Sequence, residues 1–363
     1  MFVRGDTLFL LFEGYGWLPA LRRRASGQVV HTRLMGRRAV GLCGPETARF
    51  FYDEDHVRRH AAVPEPVKST LLGHGAVHTL DADRHRVRKA MFMSLLTGAG
   101  VPSLVTHATE CWDEAVDAWA RSRQVRGGAV TVAKGSALDV VSGHRDADGK
   151  LLDPRVAAVE VLNVIRPAVA VCWFVTFAAH ALHRGPEHRA ALRSGDPAFA
   201  EAFAYEVRRF YPFAYEVRRF YPFAPFVAGR AVRELSWAGE RIPAGCLVLL
   251  DVYGQNHDPG LWEEPYAFDP GRFAGRRIGA FDLTPQGGGD PAGGHRCPGE
   301  DLTIALLQTL AVRLARLEYD VPRQDLSISL RRIPARPASG FVMAVPDSAI
   351  TRQHAGAGTA PKS

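Results

Sequence analysis

The run GGGDPAGGHRCPGE, Gly287 to Glu300, sets one cysteine, Cys297, in a glycine-rich loop directly before an amphipathic helical pattern. A thiolate at that place is compensated by the positive end of the coming helix and by the loop amides. Both lower the thiol pKa and make the sulfur an anionic metal ligand. The glycines let the backbone approach a flat cofactor closely. The plainer reading of a lone cysteine is a small buried hydrophobe in a turn. Arg166 stands in the otherwise apolar run NVIRPAVAV, Asn163 to Val171. A guanidinium there is costly unless it meets an anion, either a bound carboxylate held through two hydrogen bonds or an internal partner such as Glu160. The segment VHTLDADRHRVRK, Val77 to Lys89, carries His78, His85 and Lys89, each of which taken alone is more often a solvated surface residue.

With Gly293, His295, Cys297 and Gly299 so placed, the loop resembles the haem-binding loop of cytochrome P-450 enzymes. The phenylalanine usual seven residues before the cysteine is replaced by Asp290. The run PQGGGD followed by GHRCPGE is similar to the fatty-acid peroxygenase branch, hydroxylases and decarboxylases that use hydrogen peroxide. The resemblance implies a cytochrome P-450 fold, mainly α with a small β region, and haem b (iron protoporphyrin IX) bound through Cys297 as the iron ligand. It puts Gly293, His295, His85 and Lys89 at the cofactor, His85 and Lys89 pairing with the haem carboxylates. It also sets Asn163 to Val171 on the long distal helix, with Arg166 and Pro167 where ordinary monooxygenases carry an acid and a threonine. Arg166 then anchors a long-chain fatty acid, whose carboxylate acts as general acid and base. His78 falls where family members carry glutamine or histidine, the histidine being associated with decarboxylation. The implied catalytic set is Arg166, Pro167 and His78. The implied reaction is peroxide-driven α- or β-hydroxylation, or decarboxylation to a terminal alkene, with no obligatory reductase.

Two other readings stay open, a redox-partner-driven haem monooxygenase and an inactive haem-binding remnant. The second arises because the stretch between Met93 and the distal helix is shorter than the family's by about 60 residues, roughly three average helices with their loops. The decapeptide AYEVRRFYPF also occurs twice in tandem, at Ala204 to Phe213 and Ala214 to Phe223. Pro212 prevents one continuous helix through both copies. Glu206 with Arg209, or Glu216 with Arg219, resembles the family's Glu-x-x-Arg pair, completed by Arg272. The first copy is favoured because it continues the helix begun at Asp196.

The elements that must position these residues are legible in outline. Val29 to Leu34 and Ala39 to Cys43, joined across Gly36, predict a hairpin. Helical periodicity covers Pro45 to Tyr52, Ala82 to Leu96, Thr109 to Arg121 and Pro154 to His183, the last capped by Asp153. Ile242 to Asp251 predicts a strand, and Glu300 to about Leu317 a final helix. A single haem-thiolate domain over residues 1–347 and a disordered tail over 348–363 are expected.

Bulk properties narrow the function classes. At 363 residues and 47% hydrophobic the chain can bury a large core. Its net charge of +7 comes from scattered arginines rather than one stripe, which argues against nucleic acid as a partner. Five cysteines without CxxC or CxxCH spacing argue against a disulfide framework, a zinc site and covalently attached haem. The longest apolar run, Pro167 to Leu182, is shorter than the ~20 residues of a membrane span, and Thr7 to Phe12 is too short for a signal peptide. A cytoplasmic location is expected.

Overall fold

A computed structural model describes residues 7–25, 29–60, 62, 75–98, 100–121, 137–211, 226–333 and 335–345, with backbone alone at 111–121, 138, 142, 154 and 165–170. Helices dominate, and a small sheet region lies beside them.

The longest element is the helix Pro154–Arg184. Asp153 starts it by accepting the Arg155 amide at 2.9 Å, with Pro154 in the first turn, and Gly185 ends it. Arg166 and Pro167 lie on its middle turns. Pro167 has no amide hydrogen, so the Asn163 carbonyl lacks its usual partner within the helix. The helix Glu300–Arg316 runs from the Cys297 loop. Between these two packs Pro197–Phe210, capped by Asp196. Phe177, Phe203, Leu307 and Leu314 are fully buried where the three helices meet.

The helix Pro197–Phe210 holds the first copy of the decapeptide and stops where Tyr211, extended ahead of Pro212, leaves helical geometry. Its Arg209 grips both oxygens of Glu206 at 2.6 Å, with neither side chain exposed. Arg209 also donates to the carbonyls of Asn256, Pro265 and Ala267. Arg272 reaches Glu206 at 3.3 Å. The expected Glu-x-x-Arg pair is therefore built from the first copy. Glu216 and Arg219 lie outside the described residues, as does the tail.

Five strands form the larger sheet, in the order Val29–Leu34, Arg37–Leu42, Leu247–Asp251, Phe226–Ala231, Val57–Arg58. The central strand Leu247–Asp251 is buried along its whole length. Val248 and Leu250 face Phe50 and Phe51, whereas Leu247 and Leu249 face Trp17 and Leu18. The strand expected over Ile242 to Asp251 is split. Pro243 lacks a donor and Gly245 turns at φ +70°, so Ile242 ends a separate hairpin, Leu235–Trp237 with Glu240–Ile242. The helix expected from Thr109 begins earlier, at Gly100. The other expected helices match within one residue at each end.

His180, on the long helix, donates from Nε2 to the Leu326 carbonyl at 3.2 Å and accepts the Tyr211 hydroxyl on Nδ1 at 2.8 Å, the arrangement of a neutral ring. Burial lowers its pKa to about 4. An unfolded histidine titrates near ~6.5. The fold thus keeps this contribution in full above that value and loses it as the pH falls toward 4. Denaturant titrations between pH 7 and 4 should show a smaller loss of stability for His180→Gln than for the wild type, from a lower starting stability at pH 7.

Candidate active site

Cys297 is 5% exposed, three residues before the Glu300–Arg316 helix. Its amide donates to the Gln286 carbonyl at 2.8 Å, and the Gln286 side-chain amide donates to its sulfur at 3.7 Å. The same Gln286 amide reaches Thr303 Oγ1 at 3.1 Å. The orientation of Gln286 is fixed from behind, because its oxygen accepts Arg208 Nε at 3.1 Å. Arg208, with no exposed surface, is also paired with Glu300, which Arg296 holds from the other side at 2.5 Å. Burial alone would raise the Glu300 pKa, but the two guanidinium charges bring it below the ordinary carboxylate value.

Asp290 explains its departure from the family pattern. Its carboxylate accepts the amides of Ala292 and Gly293, both at 2.9 Å, and these hold its pKa down. The turn that includes Gly293 is thereby fixed by hydrogen bonds rather than by an aromatic ring. Gly287 sits at φ +94°, and an added Cβ there would meet backbone atoms of His295 and Arg296 at 3.1 to 3.2 Å. Gly299 keeps the space beside the sulfur open, since a Cβ would lie 3.9 Å from Cys297 Sγ.

Two of the residues expected at the cofactor, His85 and His295, are neighbours. The rings of His85 and His295 stack with centroids 3.9 Å apart. His295 Nε2 lies 3.3 Å from Glu54 and 3.7 Å from Asp81. Burial opposes charge on Asp81, but His295 and the amides of Arg59 and His60 pull its pKa to about 2. Burial, reinforced by the nearby charges of His295 and Lys89, lowers His85 to about 3. Its Nδ1 is buried and has no hydrogen-bond partner among the described residues. Lys89 lies on the same helix as His85, and its ammonium donates to the carbonyls of Gly294 and Arg296 and so braces the cysteine loop. Burial lowers the Lys89 pKa to about 8.

On the long helix, Glu160 is engaged by three described partners. Its two oxygens take Arg88 at 2.6 Å, the Val77 amide at 2.9 Å and Asn163 Nδ2 at 2.8 Å. Arg88 extends the cluster to Asp146 at 2.5 Å. Through Val77, Glu160 ties the short turn Val77–Thr79, and with it His78, to the long helix. The side chains of Arg166 and Pro167 lie outside the described residues, though their backbone is helical.

Sequence reasoning missed Gln286, Arg208 and Glu300. The signal available was slight: an Arg-Arg pair on one helix, and a glutamine at the entrance to a glycine run. The donor set itself fits haem. It offers one buried sulfur with a side-chain donor, Gln286, a glycine beside the sulfur, and a buried imidazole nitrogen, His85 Nδ1, without a partner among the described residues. Glu54, His85 and His295 also bring ligand atoms within 4.8 Å of one another, close enough to share one ligand.

The sequence profile of the cytochrome P-450 family matches residues 213–334. Cytochrome P-450 137 of Mycobacterium tuberculosis is 27% identical over 200 residues, 54% of this chain and 39% of that protein, so the chain spans well under half the length of this curated relative. Solved structures align far more completely. Cytochrome P450SP alpha (CYP152B1) in complex with (R)-ibuprophen is 34% identical with a TM-score of 0.83, over 94% of this chain and 98% of that one. Cytochrome P450EX alpha (CYP152N1) with myristic acid is 32% identical with a TM-score of 0.84, over 94% and 98%. An OleT variant in complex with arachidonic acid is 31% identical with a TM-score of 0.85, over 94% and 97%. Sequence identity above three residues in ten along almost the full length of such a structure, together with the Cys297 loop and its helix, shows that the chain belongs to the cytochrome P-450 family.

Proposed function

We propose that this protein oxidises long-chain fatty acids with hydrogen peroxide at a haem b held by Cys297. The observation that carries the reading is the Cys297 loop, a buried sulfur given a side-chain donor and set at the start of the Glu300–Arg316 helix, in a chain whose structural relatives include two with fatty acids bound. The absence of CxxCH spacing supports non-covalent haem. Bound there, haem supplies the iron centre at which peroxide is activated.

Arg166 holds the substrate carboxylate through a bidentate ion pair on the distal helix. Since Pro167 can neither donate nor accept a proton, the substrate carboxylate takes over acid and base work, accepting a proton from peroxide and returning it to the departing oxygen. Substrate and peroxide give a hydroxy acid and water. Loss of carbon dioxide instead gives a terminal alkene, carbon dioxide and two waters. His78, fixed by the Val77 tie to Glu160, lies on the turn from which an imidazole can manage a proton near that carboxylate. Gln286 moderates the sulfur: its donor draws electron density from the thiolate, and Arg208 keeps the amide turned the right way.

The haem-loaded protein should convert myristic acid to hydroxylated or decarboxylated product with hydrogen peroxide alone. A strict need for reduced nicotinamide and electron-transfer proteins would replace this reading with a conventional monooxygenase, and failure to take up haem would leave an inactive remnant. Arg166→Leu should lower kcat/KM for the fatty acid by roughly a hundredfold or more, the scale of losing one partner of a desolvated ion pair, while leaving haem content unchanged. Gln286→Leu should move the haem reduction potential to more negative values in a spectroelectrochemical titration, because the reduced centre carries more charge and loses a donor at the sulfur.

A further inference from the structure

The helix Thr7–Glu13 is apolar on every side. Leu10 is fully buried against the core, yet Leu8, Phe9, Leu11 and Phe12 are 64%, 55%, 53% and 68% exposed. At about 100° per residue these four spread over an arc of roughly 160° facing away from the protein. A surface helix normally covers that arc with polar groups. The tip of the first hairpin joins the patch: the Met35 amide donates to Thr7 Oγ1 at 2.8 Å, and Met35 is itself 49% exposed.

The charge around this face is mainly positive. Residues 7–42 contain six arginines and a single carboxylate, Glu13. Arg22 is turned inward, onto Asp251 and Asp258. Arg37 and Arg38, beside Met35 at the hairpin tip, are exposed. A second copy of this chain is a poor occupant, because a two-fold contact would lay arginine against arginine. Five apolar side chains are also far fewer than the ~20 residues a side of a stable protein interface. An apolar wedge with a cationic rim instead matches a bilayer surface, where side chains enter the boundary between headgroups and acyl chains while arginines stay at the phosphates. The chain needs no spanning segment for this, and among the described residues no helix is long and apolar enough to cross a membrane.

We propose that the helix Thr7–Glu13 and the Met35 hairpin tip form a docking face for anionic lipid bilayers, through which the protein rests on a membrane surface. The proposal is independent of the oxidation chemistry and is tested without turnover. The haem-loaded full chain is sedimented with vesicles of phosphatidylcholine mixed with phosphatidylglycerol, and with phosphatidylcholine alone. The expected result is binding to the mixed vesicles, weakened by salt and much lower on the neutral ones. Arg37→Gln and Arg38→Gln should each lower the partition coefficient roughly fivefold, and the double variant Phe9→Ser/Phe12→Ser should abolish binding without altering the haem spectrum. Absence of sedimentation above a lipid-free control overturns the proposal, as does undiminished binding by the phenylalanine variant. A wild-type dimer in light scattering that this variant converts to monomer overturns it as well, since a second copy would then cover the face.

Discussion

A glycine-rich loop has little intrinsic reason to hold one shape, because its residues lose more freedom on folding than any others. The loop around Cys297 is instead fixed by hydrogen bonds, from Lys89 and Gln286 outside it and from Asp290 within it. Lys89 fastens the carbonyls of Gly294 and Arg296, Asp290 gathers two amides, and Gln286 takes the Cys297 amide. Lys89 comes from the helix Ala82–Leu96, and Arg208 on Pro197–Phe210 orients Gln286, so the position of the sulfur depends in part on helix packing far from it. Phe203 and Leu307, in the core shared by three helices, thus act on the site indirectly, by holding Arg208 and Glu300 in register.

Buried charge follows the same logic. Arg209 with Glu206, Arg208 with Glu300, and Arg88 with Glu160 are each almost wholly withdrawn from water. Such pairs contribute little net stability, yet losing one partner costs about 3 to 5 kcal/mol because the other is left uncompensated. Their value here is geometric. Each is tied to segments distant in sequence: Arg209 to the carbonyls of Asn256 and Pro265, Arg208 to Gln286 beside the cysteine, and Glu160 to the turn at Val77.

Much of this was legible in the sequence. The loop announced itself because few residue types suit a shielded sulfur, and the helices Pro154–Arg184 and Pro197–Phe210, each with an Asp cap and a leading proline, carried their own starts. What could not be read were pairings set by tertiary distance. Arg208 and Gln286 are 78 residues apart, and nothing local marks them as partners. Glu160 takes the Val77 amide and the Arg88 side chain, 83 and 72 residues away, pairings that no local pattern announces. Lys89 reaches loop carbonyls some two hundred residues on, a contact set by how the two segments approach each other. The single long strand failed for a local reason, since Pro243 and Gly245 outweigh the apolar run around them.

The parallel pairing of Ala39–Leu42 with Leu247–Leu250 has a consequence for how the molecule is made. The first hairpin leaves the ribosome roughly two hundred residues before the strand that will cover its inner edge, an interval of about 10 to 40 s at ordinary synthesis rates. Through that time Ala39 to Leu42 present an open, apolar edge, the kind of surface on which nascent chains aggregate or recruit chaperones. Completion of the sheet is therefore a late step in biogenesis, and it comes shortly before the segment that carries the cysteine is translated.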